Sequence, residues 1–217
     1  MILSQILIAE IIPQDYYQNK DVVNMAKSLL GKIITTRFDG KITSGIIVET
    51  ESYRGPDDRG SHAYGGRFTD RTRTMYSNGG AGYVYICYGM HPMFNVVTGP
   101  EGDAHVVLIR GIEPIQGLDV MAERRKQNKI SPNLTNGPAK LAVALGITKE
   151  MDGTLLYNED SQILISEGTV RKGKYEIVTG LRVGMSVHVG PCAYRPWRFY
   201  IKNNKFVSKP LYVTYDF

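Results

Sequence analysis

Residues 32–56 read KIITTRFDGKITSGIIVETESYRGP. Two runs within this stretch, Lys32 to Arg37 and Ile42 to Tyr53, are rich in Ile, Val and Thr and bounded by glycines, a pattern that predicts β-strands. Side chains alternate between the faces of a strand, so Glu49, Glu51 and Tyr53 share one face and Val48, Thr50 and Ser52 the other. Gly55 and Pro56 end the run, leaving Glu51 and Tyr53 near an exposed strand end, where a rigid scaffold can present reactive groups. Two carboxylates and a phenol on one surface are either a solvated polar face or part of a catalytic site. Taken alone, the segment favours the solvated face.

The same strand-like composition recurs at Tyr83 to Tyr88, Asn95 to Thr98 and His105 to Gly111, and later at Gln162 to Ile165, Ser186 to Val189 and Arg198 to Ile201. From Asp21, a predicted N-cap, apolar residues recur at helical spacing through Leu30 until Gly31 offers a stop. Pro114 is expected to open a helix through Ile115, Leu118, Met121 and Ala122, and Pro138 a second one through Leu145, stopped by Gly146. Helices clustered between runs of strands joined by short turns predict an α+β fold, with a mostly antiparallel curved β-sheet flanked by helices. At 217 residues the chain suits a single domain over 1–217, and it contains no repeat, long linker or low-complexity tract.

Composition sets outer bounds. The chain is 42% hydrophobic and 22% charged, which excludes disorder and disulfide-scaffold classes. The opening MILSQILIAEIIP is apolar but lacks a basic start and is interrupted by Gln5, Glu10 and Pro13, so neither a signal peptide nor a membrane span is expected. Cys87 and Cys192 read as reduced thiols of a cytoplasmic protein. A net charge of +5 permits a polyanionic partner without requiring one.

Three further segments carry candidate chemistry. SHAYGGRFTDRTRTM gathers His62, Tyr64, Arg67, Arg71 and Arg73 around two glycines, suited to phosphates and bases or to an ordinary polar loop. A metal held by Asp57, Asp58 and His62 would have one nitrogen ligand, a poor set, and no metal or cofactor is expected. In YVYICYGMHPMFN, Tyr83 and Tyr85 fall on one face, while Tyr88 sits where the chain turns and can project as an intercalating wedge or pack as an edge aromatic. In AHVVLIRGIEP, Arg110 interrupts an apolar strand; if buried it needs a carboxylate, and Glu51 is a candidate partner.

Together, VETESYRGPDDRGSHAYGGRFTDRTRTM, GYVYICYGMHPMFNVV, VLIRGIEP, NGPAKLAVALGI and RPWRFYI resemble the alkyladenine or 3-methyladenine DNA glycosylases of the mammalian N-methylpurine type, in order and spacing over roughly residues 45 to 202. The resemblance implies an enzyme that acts on duplex DNA containing a damaged purine, without a cofactor; a monomer is the default expectation. It matches Glu51 to the water-activating glutamate and Arg110 to the arginine that positions the water. Tyr53, His62 and Tyr85 match the aromatic base clamp, and Asn95 the residue that crowds the exocyclic amine of guanine. Tyr88 matches the wedge that fills the vacancy of a flipped nucleotide, and Arg67, Met75, Met90 and Lys140 fall where the family approaches the DNA backbone or neighbouring bases. His91, Pro92 and Met93 are bulkier and stiffer than the resemblance leads one to expect after Tyr88.

A base stacked in a duplex must be rotated out to be reached. Alkylation at N3 or N7 makes the purine cationic, which favours stacking on electron-rich rings. A carboxylate can stabilise the oxocarbenium character of the departing sugar and deprotonate water. No lysine is placed to form an imine, so a monofunctional hydrolase is expected. Two rivals remain at this level. One is a noncatalytic nucleic-acid-binding module built on the same tyrosines and arginines. The other is a small-glycoside hydrolase using Glu49 and Glu51, which neighbours on one strand face serve poorly.

Overall fold

A computed structural model describes residues 10–168 and 175–215; residues 1–9 of the apolar opening stretch lie outside them. In chain order its main elements are α1 (Val22–Ser28), β1 (Ile33–Phe38), β2 (Lys41–Arg54), β3 (Gly82–Cys87), β4 (His91–Thr98), β5 (His105–Gln116), α2 (Leu118–Arg124), α3 (Pro138–Leu145), β6 (Ile163–Ser166), β7 (Ile177–Gly180) and β8 (Arg198–Ile201). Every strand pairing is antiparallel, in the order β3-β4-β5-β2-β1-β6, with β8 on β2 and β7 on β8. The fold is α+β.

The 14-residue β2 is the axis of this sheet. Its first half pairs with β1 through the Asp39-Gly40 turn, and its second half pairs with β8, where Glu51 lies opposite Arg198. Along its other side runs β5. Alternation then divides the core. Val84, Val96 and Val107 join Met25, Leu29, Leu141 and Leu145 beneath the helices, while Tyr83, Val97 and Val106 pack with Ala63 and Met75 on the opposite face. Each fully buried Leu, Val or Met contributes roughly 1.5–3 kcal/mol, so both layers hold the central strands rigid.

Local signals act as anticipated at several points. The Asp21 carboxylate accepts the Val23 and Asn24 N–H groups at 3.0 Å, capping α1. Gly146, in the left-handed conformation, ends α3. Four points differ from expectation. Pro114 and Ile115 belong to β5, and α2 starts only at Leu118, because a register shift opposite Ser44 and Gly45 accommodates a residue without an N–H. Residues Ser186 to Val189 are not a strand; Val187–Tyr194 forms short helical turns broken at Gly190. Ile177–Gly180, not foreseen as a strand, pairs with β8. His91, Pro92 and Met93 lie in β4 and not in the turn, with Pro92 opposite Ile86 of β3.

Candidate active site

The face of β2 carrying Glu49, Glu51 and Tyr53 is not solvated: both glutamates are 0% exposed. Burying carboxylates demands donors, and a register irregularity supplies one. Glu49 pairs with Gly111 and Thr50 with Ile109, so Arg110 is left out of the ladder as a bulged residue of β5. A bulge re-aims its side chain. Arg110 Nε donates to Glu49 Oε1 at 2.8 Å, and its Nη1 lies 3.3 Å from Glu51 Oε2. Burial alone would push this guanidinium down, but Glu51 and Glu49 more than offset that and hold it above its ordinary value. Gly111 is required beside it, since a Cβ there would meet the Phe206 carbonyl at 2.7 Å.

The two glutamates have different company. Glu49 also accepts Arg198 Nε at 2.8 Å, the Ser208 N–H at 2.6 Å and the Ser208 hydroxyl at 2.8 Å, so its oxygens are saturated by structure. Glu51 accepts the Tyr53 hydroxyl at 2.8 Å and the Val183 N–H at 2.7 Å, beside Arg110. All three of its donors line a cavity of about 380 Å³, and Glu51 itself lies directly behind that wall. The volume falls among small-molecule sites, roughly 300–1,000 Å³.

Aromatic rings form much of the cavity. His62, Tyr83 and Tyr85 line it with Tyr53, Asn95 and Arg110. The His62 ring stands edge-on to Tyr85 at 4.5 Å, and Tyr83 stacks on Tyr85 at 5.6 Å. Burial and then the charges of Arg71 and Arg67 push His62 down to about 4, so it is neutral near pH 7. Arg71 Nη2 lies 3.0 Å from Nε2, and a guanidinium only donates, so Nε2 accepts and Nδ1–H donates to the Tyr83 hydroxyl at 2.9 Å. Burial, then the Glu51 charge, hold the Tyr53 phenol well above its ordinary value, which keeps it a donor. The Asn95 amide is buried and donates to the Tyr83 carbonyl at 3.1 Å.

The remaining anticipated residues divide. Tyr88 and Met90 stand at the β3–β4 tip, 89% and 70% exposed. Arg67 is exposed and lines an adjoining depression that shares Gly60, Ser61, His62, Gly184 and Met185 with the main cavity. Lys140, half-buried on α3, donates to Asn133 and Asn136. Met75 is 1% exposed; it packs with Tyr83 and Val106 and is part of the cavity lining. Asp57 and Asp58 are occupied by arginines, Asp57 by Arg54 and Asp58 by Arg182, and are not gathered with His62. Residues not foreseen for the site are Tyr83, Arg198, Ser208, Arg182 and Val183. Only a buried-tyrosine alternation hinted at Tyr83, and the others carry no local signature.

Comparison with known proteins gives a consistent result. The model of the Methylpurine-DNA glycosylase family matches residues 15–205. A relative in Chlamydia felis named "Putative 3-methyladenine DNA glycosylase" is 46% identical over 197 residues, covering 89% of this chain and 97% of that protein. One of the same name in Bacillus cereus is 42% identical over 203 residues, covering 91% and 98% respectively. The chain belongs to the methylpurine-DNA glycosylase family and is a hydrolase of N-glycosyl bonds.

Proposed function

We propose that the protein flips a damaged purine, chiefly N-alkylated, out of duplex DNA and hydrolyses its N-glycosidic bond, acting as a monomeric single-domain enzyme in base excision repair. The observation that carries this reading is the convergence of Tyr53, Arg110 and the Val183 N–H on Glu51 at the wall of an aromatic cavity. In this reading the base enters between Tyr53, Tyr85 and His62. A cationic purine gains about 0.5–2 kcal/mol per ring contact, and a neutral His62 adds no repulsion. Water enters on the Glu51 side, held by Arg110, and Glu51 removes its proton as positive charge develops on the sugar. A base that is already cationic leaves without protonation. Asn95 crowds the exocyclic amine of guanine, Tyr88 fills the vacated stack, and Arg67, Met90 and Lys140 approach the backbone or adjacent bases. No lysine is among the described residues lining the cavity, which supports simple hydrolysis without strand cleavage.

The test is Glu51→Gln on a duplex with one N-methylpurine. The single-turnover rate is expected to fall at least about a hundredfold, with binding of the duplex retained; excision at the wild-type rate would refute the assignment.

A further inference from the structure

Arg182 is among the largest fully buried side chains of the described residues, at 0% exposed. Its guanidinium meets the equally buried Asp58 in a two-pronged pair, Nη1 to Oδ2 at 2.5 Å and Nη2 to Oδ1 at 2.9 Å. The same nitrogens reach the Ser52 and Cys192 carbonyls at 3.2 and 3.0 Å. Such a pair is a weak source of stability, because desolvating both ions costs several kcal/mol and apolar residues often serve as well. Its location is the informative feature.

Three parts of the site meet at this pair. The guanidinium carbon lies 4.7 Å from the centroid of the Tyr53 ring, one face of the cavity. The next residue is Val183, whose N–H donates to Glu51. Asp58 lies in the turn that leads to His62: its carboxylate accepts the Gly60 N–H at 3.0 Å, and its carbonyl accepts the Ser61 N–H at 2.8 Å. Gly60 leaves room for the charge, since a Cβ there would come within 3.0 Å of Arg182 Nη2. The Arg182 carbonyl is held in turn by the Tyr215 hydroxyl at 2.5 Å.

We propose that the Asp58–Arg182 pair positions the catalytic assembly, fixing the Val183 N–H on Glu51, the Tyr53 ring against the base and the turn that delivers His62. Both are positioning residues, because neither lines the cavity where the base would sit. The inference rests on Glu51 as the water-activating residue. Displacement of catalytic groups by about 1 Å can cost on the order of a hundredfold in rate, whereas a purely structural pair would affect only the folded fraction.

The experiment follows the single-turnover rate against enzyme concentration on a duplex with one N-methylpurine, for Arg182→Lys and Asp58→Asn, with circular dichroism on the same samples. In folded variants the plateau rate should fall about tenfold or more, while the half-saturating concentration stays near wild type. A plateau within about twofold of wild type, or a change confined to half-saturation, overturns the proposal. Tyr215→Phe leaves the ion pair intact and releases the Arg182 carbonyl together with the Met185 N–H, which the same hydroxyl accepts at 3.1 Å. It should lower the plateau by about threefold or more, and it decides the matter if the other two do not fold: an unchanged plateau overturns the proposal. Glu51→Gln, run in parallel, separates the two claims. If it is slow and the pair variants are not, the positioning role alone fails; if it too is fast, the reading of Glu51 fails.

Discussion

The imidazole of His62 lies between a phenol and a guanidinium, and its titration belongs to that setting. Tyr83, Tyr85, Arg71 and Arg67 surround it, and its value is pushed from 6.5 to about 4 by burial and the two arginine charges. In the unfolded chain it would protonate near 6.5, so between pH 6.5 and about 4 the unfolded state binds the extra proton. The contribution to stability is complete above pH 6.5 and is lost as pH falls through about 4. Its size is at most about 3 kcal/mol. Thermal unfolding across this range should show a shallower decline for His62→Gln than for wild type, and parallel curves would contradict the assignment. The sequence places His62 in a basic, aromatic loop but names no partner for its ring. The loop and β3 come together only in three dimensions, so Tyr83 could not be named as the acceptor.

At the scale of the element, the β3–β4 hairpin sets strain against exposure. The Met90 N–H reaches the Cys87 carbonyl at 3.2 Å across Tyr88 and Gly89, whose φ values are 51° and 73°. Both central residues are thus left-handed, a turn geometry that Asn-Gly fills best, within the three-residue connection between the paired Cys87 and His91. Glycine at 89 adopts it without penalty, but a tyrosine there costs roughly 1–2 kcal/mol. That cost is borne by a side chain 89% exposed, which burial cannot reward. The wedge role proposed for Tyr88 is the reading under which that cost is offset. Tyr88→Asn is therefore expected to raise the unfolding midpoint slightly, by up to about 1 kcal/mol in stability, while slowing excision and weakening capture of a lesion duplex. Stability and activity moving in the same direction would remove the wedge reading. The turn itself was legible from Tyr88-Gly89, whereas the extension of β4 back through Pro92 was not. Pro92 pairs only with β3, beyond the reach of β5, and a proline is tolerated where no second neighbour needs its N–H.

Across the whole molecule, Glu49 ties distant segments together. It joins β2 to Arg110 of β5, Arg198 of β8 and Ser208 near the end of the described chain. Arg198 extends the knot to the carbonyls of Ser208 and Pro210. Removing the carboxylate leaves two buried guanidinium groups short of a partner, which costs about 3–5 kcal/mol. Glu49→Ala should lose that much in urea unfolding, and a change under about 1 kcal/mol would show that the network relaxes at no expense. This separates the two acids of the strand: Glu49 is bound up in structure, and Glu51 is presented through its donors to the cavity. Among the described residues, no helix is long and apolar enough to cross a membrane.

Periodicity alone determined the α+β class, the strand carrying Glu51 and the caps of α1 and α3, because these depend on contacts within a few residues. The resemblance singled out Glu51, Arg110 and the aromatic set. Tertiary structure decided what periodicity had no means to encode. It turned an outwardly polar strand face into a buried one, since β8 and the segment around Ser208 close over it from about 150 residues away along the chain, a closure that costs little more than a shorter loop. It aimed Arg110 by a one-residue bulge between two strands. It also brought Asp58 and Arg182 together, a pair whose meaning lies wholly in what each carries beside it.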